Sequence, residues 1–279
     1  MPELPEVEAV RRTIERALKG QKLVKVEVSD DRLVVTGCTP TALKERLEGA
    51  TLKAVGRRGK TFWLDLDERG FVGGHLGMSG WVRELEVGEK RLHGHGKAPL
   101  DDENGPRFLK LRLQGENGRV VVMTDGRRLG RLWLSDGPAK DPKVKQLGPD
   151  TWTDPPTVAT LAKRFEKKSA PLKAALLDQK LFAGVGNWVA DEVCYQARLN
   201  PARLCNSLTE AEITELLRAL KQILVLAVEV EADDSKYPET WLFAHRWGGK
   251  RGSQEIKGHK IMRETVAGRT TAWVPDLQK

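Results

Sequence analysis

The sequence predicts an α+β protein of more than one domain. An N-terminal helix leads into an antiparallel β-sandwich, a helical region follows, and a short basic segment ends the chain in a β-hairpin. Three observations carry this. Apolar and polar residues alternate with period two in the first half, as in Val24, Val26 and Val28 against Lys25, Glu27 and Ser29, the pattern of half-buried strands. The second half changes to a helical period, whose longest stripe runs Ile213, Leu216, Leu217, Leu220, Ile223, Leu224 and Val228. The last segment, from about Trp241, is rich in glycine and aromatics, with 8 Lys/Arg against 3 Asp/Glu between His245 and Lys279. It is too small for a core of its own.

Taken in order, Val7, Val10, Ile14, Ala17 and Leu18 recur at helical spacing after Met1-Pro2-Glu3-Leu4-Pro5-Glu6. Proline fits a first helical turn because those N–H groups lack partners, and carboxylates suit the positive end of the helix dipole. Gly20 stops the helix. Further strand patterns set Phe62, Leu64 and Leu66 against Trp63, Asp65 and Asp67, and Leu109, Leu111 and Leu113 against Lys110, Arg112 and Gln114. The polar stretch 84–106 reads as an exposed loop. Its His93 and His95 have no third ligand at usable spacing, so no metal is expected there. Ser135-Asp136-Gly137-Pro138 through Asp141-Pro142 breaks the composition and marks an interdomain linker. Beyond it, Leu172 to Leu181 and Trp188 to Ala197 read as helices separated by a glycine-rich turn. The longest helix is expected to start at Ser207, with Glu210 completing a capping box.

The 279 residues carry 47 Lys+Arg against 39 Asp+Glu, a net charge of +8. That balance favours an anionic partner, nucleic acid ahead of a membrane surface. No apolar stretch approaches the ~20 residues that span a bilayer, and the N-terminus lacks the basic-then-apolar pattern of a signal peptide. Cys38, Cys194 and Cys205 are odd in number and show no paired spacing. Neither a disulfide framework nor a cysteine zinc site is expected, which suits a reducing intracellular compartment.

Several stretches offer chemistry. Removal of Met1 would leave Pro2 as a secondary-amine terminus. An α-amino group titrates near pH ~8, and a helix N-terminus lowers that by disfavouring the cation. Part of it would be nucleophilic at pH 7, with the Glu3 carboxyl beside it. An amine next to an acid points to Schiff-base chemistry, although the same residues also suit a plain helix start. Arg57-Arg58-Gly59-Lys60 is either a solvated basic turn or a phosphate contact where glycine lets the backbone approach. Gly184-Val185-Gly186-Asn187, running into a helix, has the form of an anion site. Gly268-Arg269-Thr270-Thr271 offers a guanidinium and two hydroxyls on an expected hairpin turn. His75-Leu76-Gly77-Met78-Ser79-Gly80 places a flexible apolar side chain between glycines, either a buried plug or a wedge for a base stack.

The order of Pro2-Glu3, Lys60, His75 to Gly80, Thr124-Asp125-Gly126-Arg127-Arg128, Gln146-Leu147-Gly148-Pro149, Gly184 to Asn187, Ala190-Asp191-Glu192-Val193 and Gly268 to Thr271 resembles the formamidopyrimidine-DNA glycosylase/endonuclease VIII family over nearly the whole chain. The resemblance implies a catalytic sandwich domain at 2–135, a linker at 136–148, a helix–two-turn–helix DNA-binding domain at 149–238 and a finger at 239–279. It implies a bifunctional DNA glycosylase and AP lyase of base excision repair, working as a monomer on damaged double-stranded DNA in the cytoplasm or nucleoid, or in the nucleus of a eukaryote. Pro2 would attack the sugar carbon bearing a flipped-out base and form a Schiff base, with Glu3 as general acid and Glu6 in support. Lys60 and Arg269 would grip the phosphates around the everted nucleotide, with His75 and Asn187 as further phosphate contacts. Met78 and Arg127 would fill the gap left in the duplex, Arg127 facing the orphaned base.

Two departures qualify the resemblance. Leu129 stands where the family usually has a phenylalanine wedge; leucine can wedge but cannot stack as an aromatic ring does, which bears on opposite-base preference. The terminal segment has none of the four cysteines of the family's zinc finger, yet it keeps Gly268 to Thr271. This resembles the zincless finger of plant and fungal relatives, with no zinc or other cofactor expected and with Trp241, Phe243, Trp247 and Trp273 packing in the metal's place. Val230 to Trp241 is short for the loop that covers 8-oxoguanine, so formamidopyrimidines and hydantoins are expected to be better substrates. The competing readings are an endonuclease VIII-like enzyme for oxidised pyrimidines, a non-catalytic lesion-binding protein, and an RNA-binding protein. Pro2-Glu3-Leu4-Pro5 argues against the first, and the combination of Pro2, Glu3, Lys60 and Arg269 against the second. The third rests on charge alone.

Overall fold

The computed structural model describes residues 2–85, 105–247 and 254–279; the stretch containing His93 and His95 lies outside them. The chain divides into two compact units, Met1–Gln146 with Glu231–Asp233, and Leu147–Val230 with Asp234–Lys279.

In the first unit, helix α1 (Leu4–Leu18) turns Val7, Val10, Ile14, Ala17 and Leu18 inward, as the periodicity predicts. The strands form two antiparallel four-stranded sheets. One has the order β1-β6-β7-β5, built from β1 (Leu23–Val28), β5 (Trp81–Glu84), β6 (Leu109–Gly115) and β7 (Val120–Thr124). The other has the order β2-β3-β4-β8, built from β2 (Leu52–Arg58), β3 (Thr61–Leu66), β4 (Phe71–His75) and β8 (Arg131–Ser135). One core cluster joins α1 to both sheets: Val26, Leu113, Val121 and Met123 come from the first, and Val55, Phe62, Leu64 and Leu132 from the second. Burial of each such side chain contributes about 1.5–3 kcal/mol. A second helix, α2 (Pro40–Leu47), is capped by Thr39 and adds Leu43 and Leu47 to the same cluster.

Within the stretch expected as a linker at 136–148, residues 136–146 fall in the first unit. The indole of Trp133 donates to Asp141 at 2.6 Å, and Asp141 in turn caps the short helix α3 (Pro142–Lys145).

The second unit contains α4 (Val158–Phe165), α5 (Leu172–Leu177), α6 (Asn187–Gln196), α7 (Glu210–Glu229) and α8 (Leu242–His245), followed by two antiparallel pairs, β9 (Glu255–Ile256) with β10 (His259–Lys260) and β11 (Met262–Val266) with β12 (Arg269–Trp273). The helix expected to run to Leu181 stops at Leu177, where Asp178 turns the chain and accepts the N–H of Lys180. Helix α7 does not start at Ser207 either. Its N-cap is Thr209, in a capping box with Glu212. Ser207 is engaged otherwise, donating to the Leu204 carbonyl and accepting from Arg203, whose guanidinium also holds Glu212. The terminal segment, expected to have no core of its own, falls in the second unit. Leu242, Ile256, Ile261, Ala272 and Val274 make one buried cluster with Tyr195 of α6. The aromatics contribute beside it, with Phe243 edge-on to both Trp188 and Trp247.

Among the described residues no helix is long and apolar enough to cross a membrane, and no group of three or more His, Cys, Asp or Glu side chains could hold a metal ion.

Candidate functional site

Helix α1 opens with buried carboxylates: Glu3 is 1 % exposed, Glu6 5 % and Glu8 3 %. A plain helix start would leave them in water, because burying a carboxylate is costly unless it is paired or protonated. Glu3 is the N-cap and forms a capping box with Glu6, its N–H donating to Glu6 Oε2 at 2.9 Å. Burial, reinforced by the neighbouring Glu3 carboxyl, pushes the Glu6 pKa up to about 7. A proton is therefore available inside the helix start at neutral pH, and Pro2 is buried next to it.

Glu8 is neutralised differently, by Arg11 at 2.9 Å, Arg12 at 3.1 Å and Arg57 at 3.0 Å. Arg57 is the informative partner. Its side chain is 2 % exposed, so it is no solvated turn residue, and it also donates to the Gly59 carbonyl at 2.9 Å. The β2–β3 hairpin closes between Arg58 and Thr61, with Gly59 at φ +57°, a conformation that favours glycine. Glu8 and Arg57 thus connect the start of α1 to the turn that presents half-buried Lys60. The sequence shows Arg57 only as part of a basic turn and Glu8 only as a helix-start carboxylate; their pairing comes from the fold.

His75 ends β4 opposite Thr61 on one side and Arg131 on the other. Its Nδ1 accepts the N–H of Gly77 at 2.9 Å, which leaves the proton on Nε2. Burial, together with the charges of Lys60, Lys143 and Arg131, lowers its pKa to about 4. At pH 7 it is an uncharged N–H donor.

Met78 and the 127–129 segment lie on two loops fixed to each other. Gly77 has φ +62°, and a Cβ there would fall 2.3 Å from the main chain of Leu129. Asp125, 1 % exposed, accepts from Ser79 Oγ at 2.6 Å, Arg127 N at 3.1 Å and Gly130 N at 2.6 Å. The result is a rigid double loop that holds Met78 40 % exposed, Arg127 exposed and Leu129 half-buried. Arg128, at φ +56°, is drawn aside by a bidentate contact to buried Asp31 at 2.8 and 3.0 Å. Asp31 also takes Lys110 at 2.9 Å, and the Arg128 guanidinium holds its carboxyl well below the usual range. This pairing separates the roles of the two consecutive arginines.

In the second unit, the glycine turn before α6 is shaped by Gln179, which donates to the Val185 carbonyl at 2.9 Å and accepts from Gly184 N at 3.1 Å. Asn187, the first residue of α6, donates to the Thr270 carbonyl at 3.0 Å and so ties that helix to the β11–β12 hairpin. Below the hairpin lies a buried ionic group. Lys173 donates to Asp191 at 2.5 Å, Thr271 Oγ1 at 2.8 Å and the Thr270 carbonyl at 3.0 Å; Asp191 also takes Arg246 at 2.7 Å and Ala272 N at 3.2 Å. Lys173 and Asp191 are both fully buried. Arg269 stands exposed at the start of β12, on the strand this group anchors. Within the first unit the structure thus brings together Pro2, Glu3 and Glu6, then Lys60 with His75, then Met78 with Arg127 and Leu129; within the second it joins Asn187 to the hairpin of Arg269.

Two family descriptions match the chain, the formamidopyrimidine-DNA glycosylase N-terminal domain over residues 1–132 and the formamidopyrimidine-DNA glycosylase H2TH domain over residues 147–239. A formamidopyrimidine-DNA glycosylase of Arabidopsis thaliana is 38 % identical over 282 residues, covering 100 % of this chain and 71 % of the plant protein. One from Listeria monocytogenes serotype 4b is 35 % identical over 296 residues, covering 100 % of both. The Lactococcus lactis Fpg protein solved with DNA containing an abasic site superposes with a TM-score of 0.78 at 25 % identity over 99 % of each chain. The same protein solved with DNA containing an oxidised pyrimidine gives 0.79 at 25 % identity over 100 % of each.

Proposed function

The chain belongs to the formamidopyrimidine-DNA glycosylase family, and from that premise we propose that it excises oxidised purines and nicks the resulting abasic site through an imine on Pro2. That it is a DNA glycosylase of base excision repair follows from the family; the substrates, the imine and the residue roles are our reading. The observation that carries the reading is the buried helix start, where Glu3 and Glu6 sit beside Pro2 with the Glu6 pKa near 7.

With Met1 removed, the Pro2 nitrogen lone pair bonds to the sugar carbon that carries the damaged base, and the base leaves with the bonding electrons and a proton. Glu3 protonates the ring oxygen as the sugar opens, giving an iminium. Loss of the adjacent carbon-bound proton expels the 3′ phosphate, and a second elimination expels the 5′ phosphate. Glu6 supports Glu3 from the same turn, accepting its N–H and carrying a raised pKa of about 7. Lys60 and Arg269 each engage a phosphate as cations, and Asn187 contacts a further one. Neutral His75 adds an Nε2–H donor. Met78, Arg127 and Leu129 fill the vacated stack and so offset the few kcal/mol of unstacking.

The protein acts as a monomer on damaged duplex DNA inside the cell, and its terminal segment does without zinc, since buried Lys173, Asp191 and Arg246 and the apolar cluster hold the hairpin together. Formamidopyrimidines and hydantoins are preferred over 8-oxoguanine; equal turnover on matched duplexes would refute that ranking. A second reading, oxidised pyrimidines, is favoured by the solved relative bound to such DNA. The deciding experiment is borohydride trapping on an abasic duplex, using protein whose N-terminus is verified by mass spectrometry. Wild type forms a covalent adduct, and Glu3→Gln loses nicking while keeping duplex affinity. Absence of an adduct from processed, DNA-binding protein would support a lesion-binding role instead.

A further inference from the structure

With Leu129 at the wedge position, the double loop has no aromatic ring of its own. Such a ring stands next to it. Phe108, immediately before β6, is 47 % exposed and has φ +58°, an outlying conformation for a bulky L residue. Backbone outliers of this kind cluster at functional sites.

The same groups that shape the double loop hold Phe108. Its carbonyl accepts the N–H of Asp125 at 3.0 Å, and Asp125 is the residue that binds Ser79, Arg127 and Gly130. Gly126 faces the ring so closely that a Cβ there would lie 3.2 Å from it. One strand step on, the ladder shifts register between Leu109 and Leu111, and Lys110 turns to Asp31, the carboxylate that also draws Arg128 aside. The Arg107 guanidinium lies 5.4 Å from the ring centroid, adding a cation beside the aromatic face. Phe108 therefore joins Met78 and Leu129 as a third apolar side chain presented from loops gathered on Asp125.

We propose that Phe108 supplies the aromatic stacking surface that Leu129 lacks, packing its ring on a base beside the everted nucleotide and setting the opposite-base preference. The proposal rests on the enzyme reading above. An aromatic face stacks on any base, whereas a leucine only fills space, so the ring adds affinity for a duplex already opened at a lesion and little for an intact one.

The test uses full-length protein, processed at Met1, and a duplex carrying a tetrahydrofuran abasic analogue opposite 2-aminopurine. Phe108→Ala and Phe108→Leu should weaken binding to this duplex roughly tenfold, in the range of one lost base–aromatic stack. Affinity for an undamaged duplex should stay unchanged, and the 2-aminopurine quench on binding should be lost. Phe108→Trp should retain both affinity and quench, and Leu129→Phe should restore them in the Phe108→Ala background. Wild-type affinity and quench in the Ala and Leu variants would overturn the proposal. So would equal weakening on damaged and undamaged duplexes in all three variants, which marks a structural role. Trapping on an abasic duplex separates the two levels: a wild-type adduct with indifferent Phe108 variants defeats only this proposal, whereas no wild-type adduct removes the enzyme reading beneath it.

Discussion

Replacing Lys173 with methionine keeps the length of the side chain and removes its charge. In the folded protein the ammonium is fully buried and all three of its protons are used, on Asp191, Thr271 Oγ1 and the Thr270 carbonyl. Breaking a buried ion pair from one side costs ~3–5 kcal/mol because the remaining charge stays desolvated. Here Asp191 keeps Arg246 at 2.7 Å and Ala272 N at 3.2 Å, and the Thr270 carbonyl keeps Asn187 at 3.0 Å. The cost of Lys173→Met therefore falls at the lower end, ~3 kcal/mol. Asp191→Asn strands two cations instead of one carboxylate and falls at the upper end, ~5 kcal/mol. At ~2–4 °C per kcal/mol for a chain of this size, Lys173→Met lowers the melting temperature by ~6–12 °C. Lys221→Met, on the exposed side of α7, is the control and stays within ~0.5 kcal/mol. Thermal and urea melts followed by circular dichroism give the stabilities, and affinity for an abasic-analogue duplex reports on the hairpin that carries Arg269. The reasoning is refuted if Lys173→Met loses less than ~1 kcal/mol, or if Asp191→Asn is the milder of the two changes.

Glu6 makes stability depend on pH with a definite sign. Its pKa is raised by burial from an ordinary 4.5 to about 7, so the folded state binds the proton more tightly than the unfolded one. The stabilisation is complete below pH 4.5 and is lost as pH rises through 7, a span of ~3 kcal/mol at 1.36 kcal/mol per pKa unit. Glu6→Gln should flatten that part of the pH–stability curve in urea melts, and an unchanged slope would count against a raised pKa. Salt titration of DNA binding tests Lys60 and His75 together. Lys60→Ala should reduce the slope of log affinity against log salt by about 1, whereas His75→Asn should weaken binding with the slope intact, because His75 is uncharged above pH 4.

The amphipathic face of α1 and the alternating strands were legible because each is a local pattern repeated over several residues, and the sandwich keeps Val7, Val10 and Ile14 where the period puts them. The start of α7 was misplaced because two interleaved caps fit the same stretch, Ser207 with Glu210 and Thr209 with Glu212. The tie is broken by Arg203, which binds both Ser207 and Glu212. Asp125, Glu8 and Lys173 could not be recognised from spacing. Each derives its role from partners brought together by folding, such as Ser79 46 residues from Asp125, Arg57 49 residues from Glu8 and Thr271 98 residues from Lys173. Lys173 reads in the sequence as an ordinary polar helix position, and only the buried Asp191 reveals it as a structural cation. Glu3 and Glu6 are visible in the sequence as residues but not as buried ones, and burial is what distinguishes this cap from a solvated helix start.

Gly77 meets residue 129 through that residue's carbonyl carbon and oxygen, not through its side chain. The loop is thus held by parts that every amino acid shares, and the side chain at 129 can be exchanged without releasing it. Leucine in place of an aromatic ring is then a change that a single substitution can make or reverse with little cost to the fold. The side chain at 129 can therefore vary with the loop intact, whereas Gly77 cannot change without displacing the main chain of residue 129.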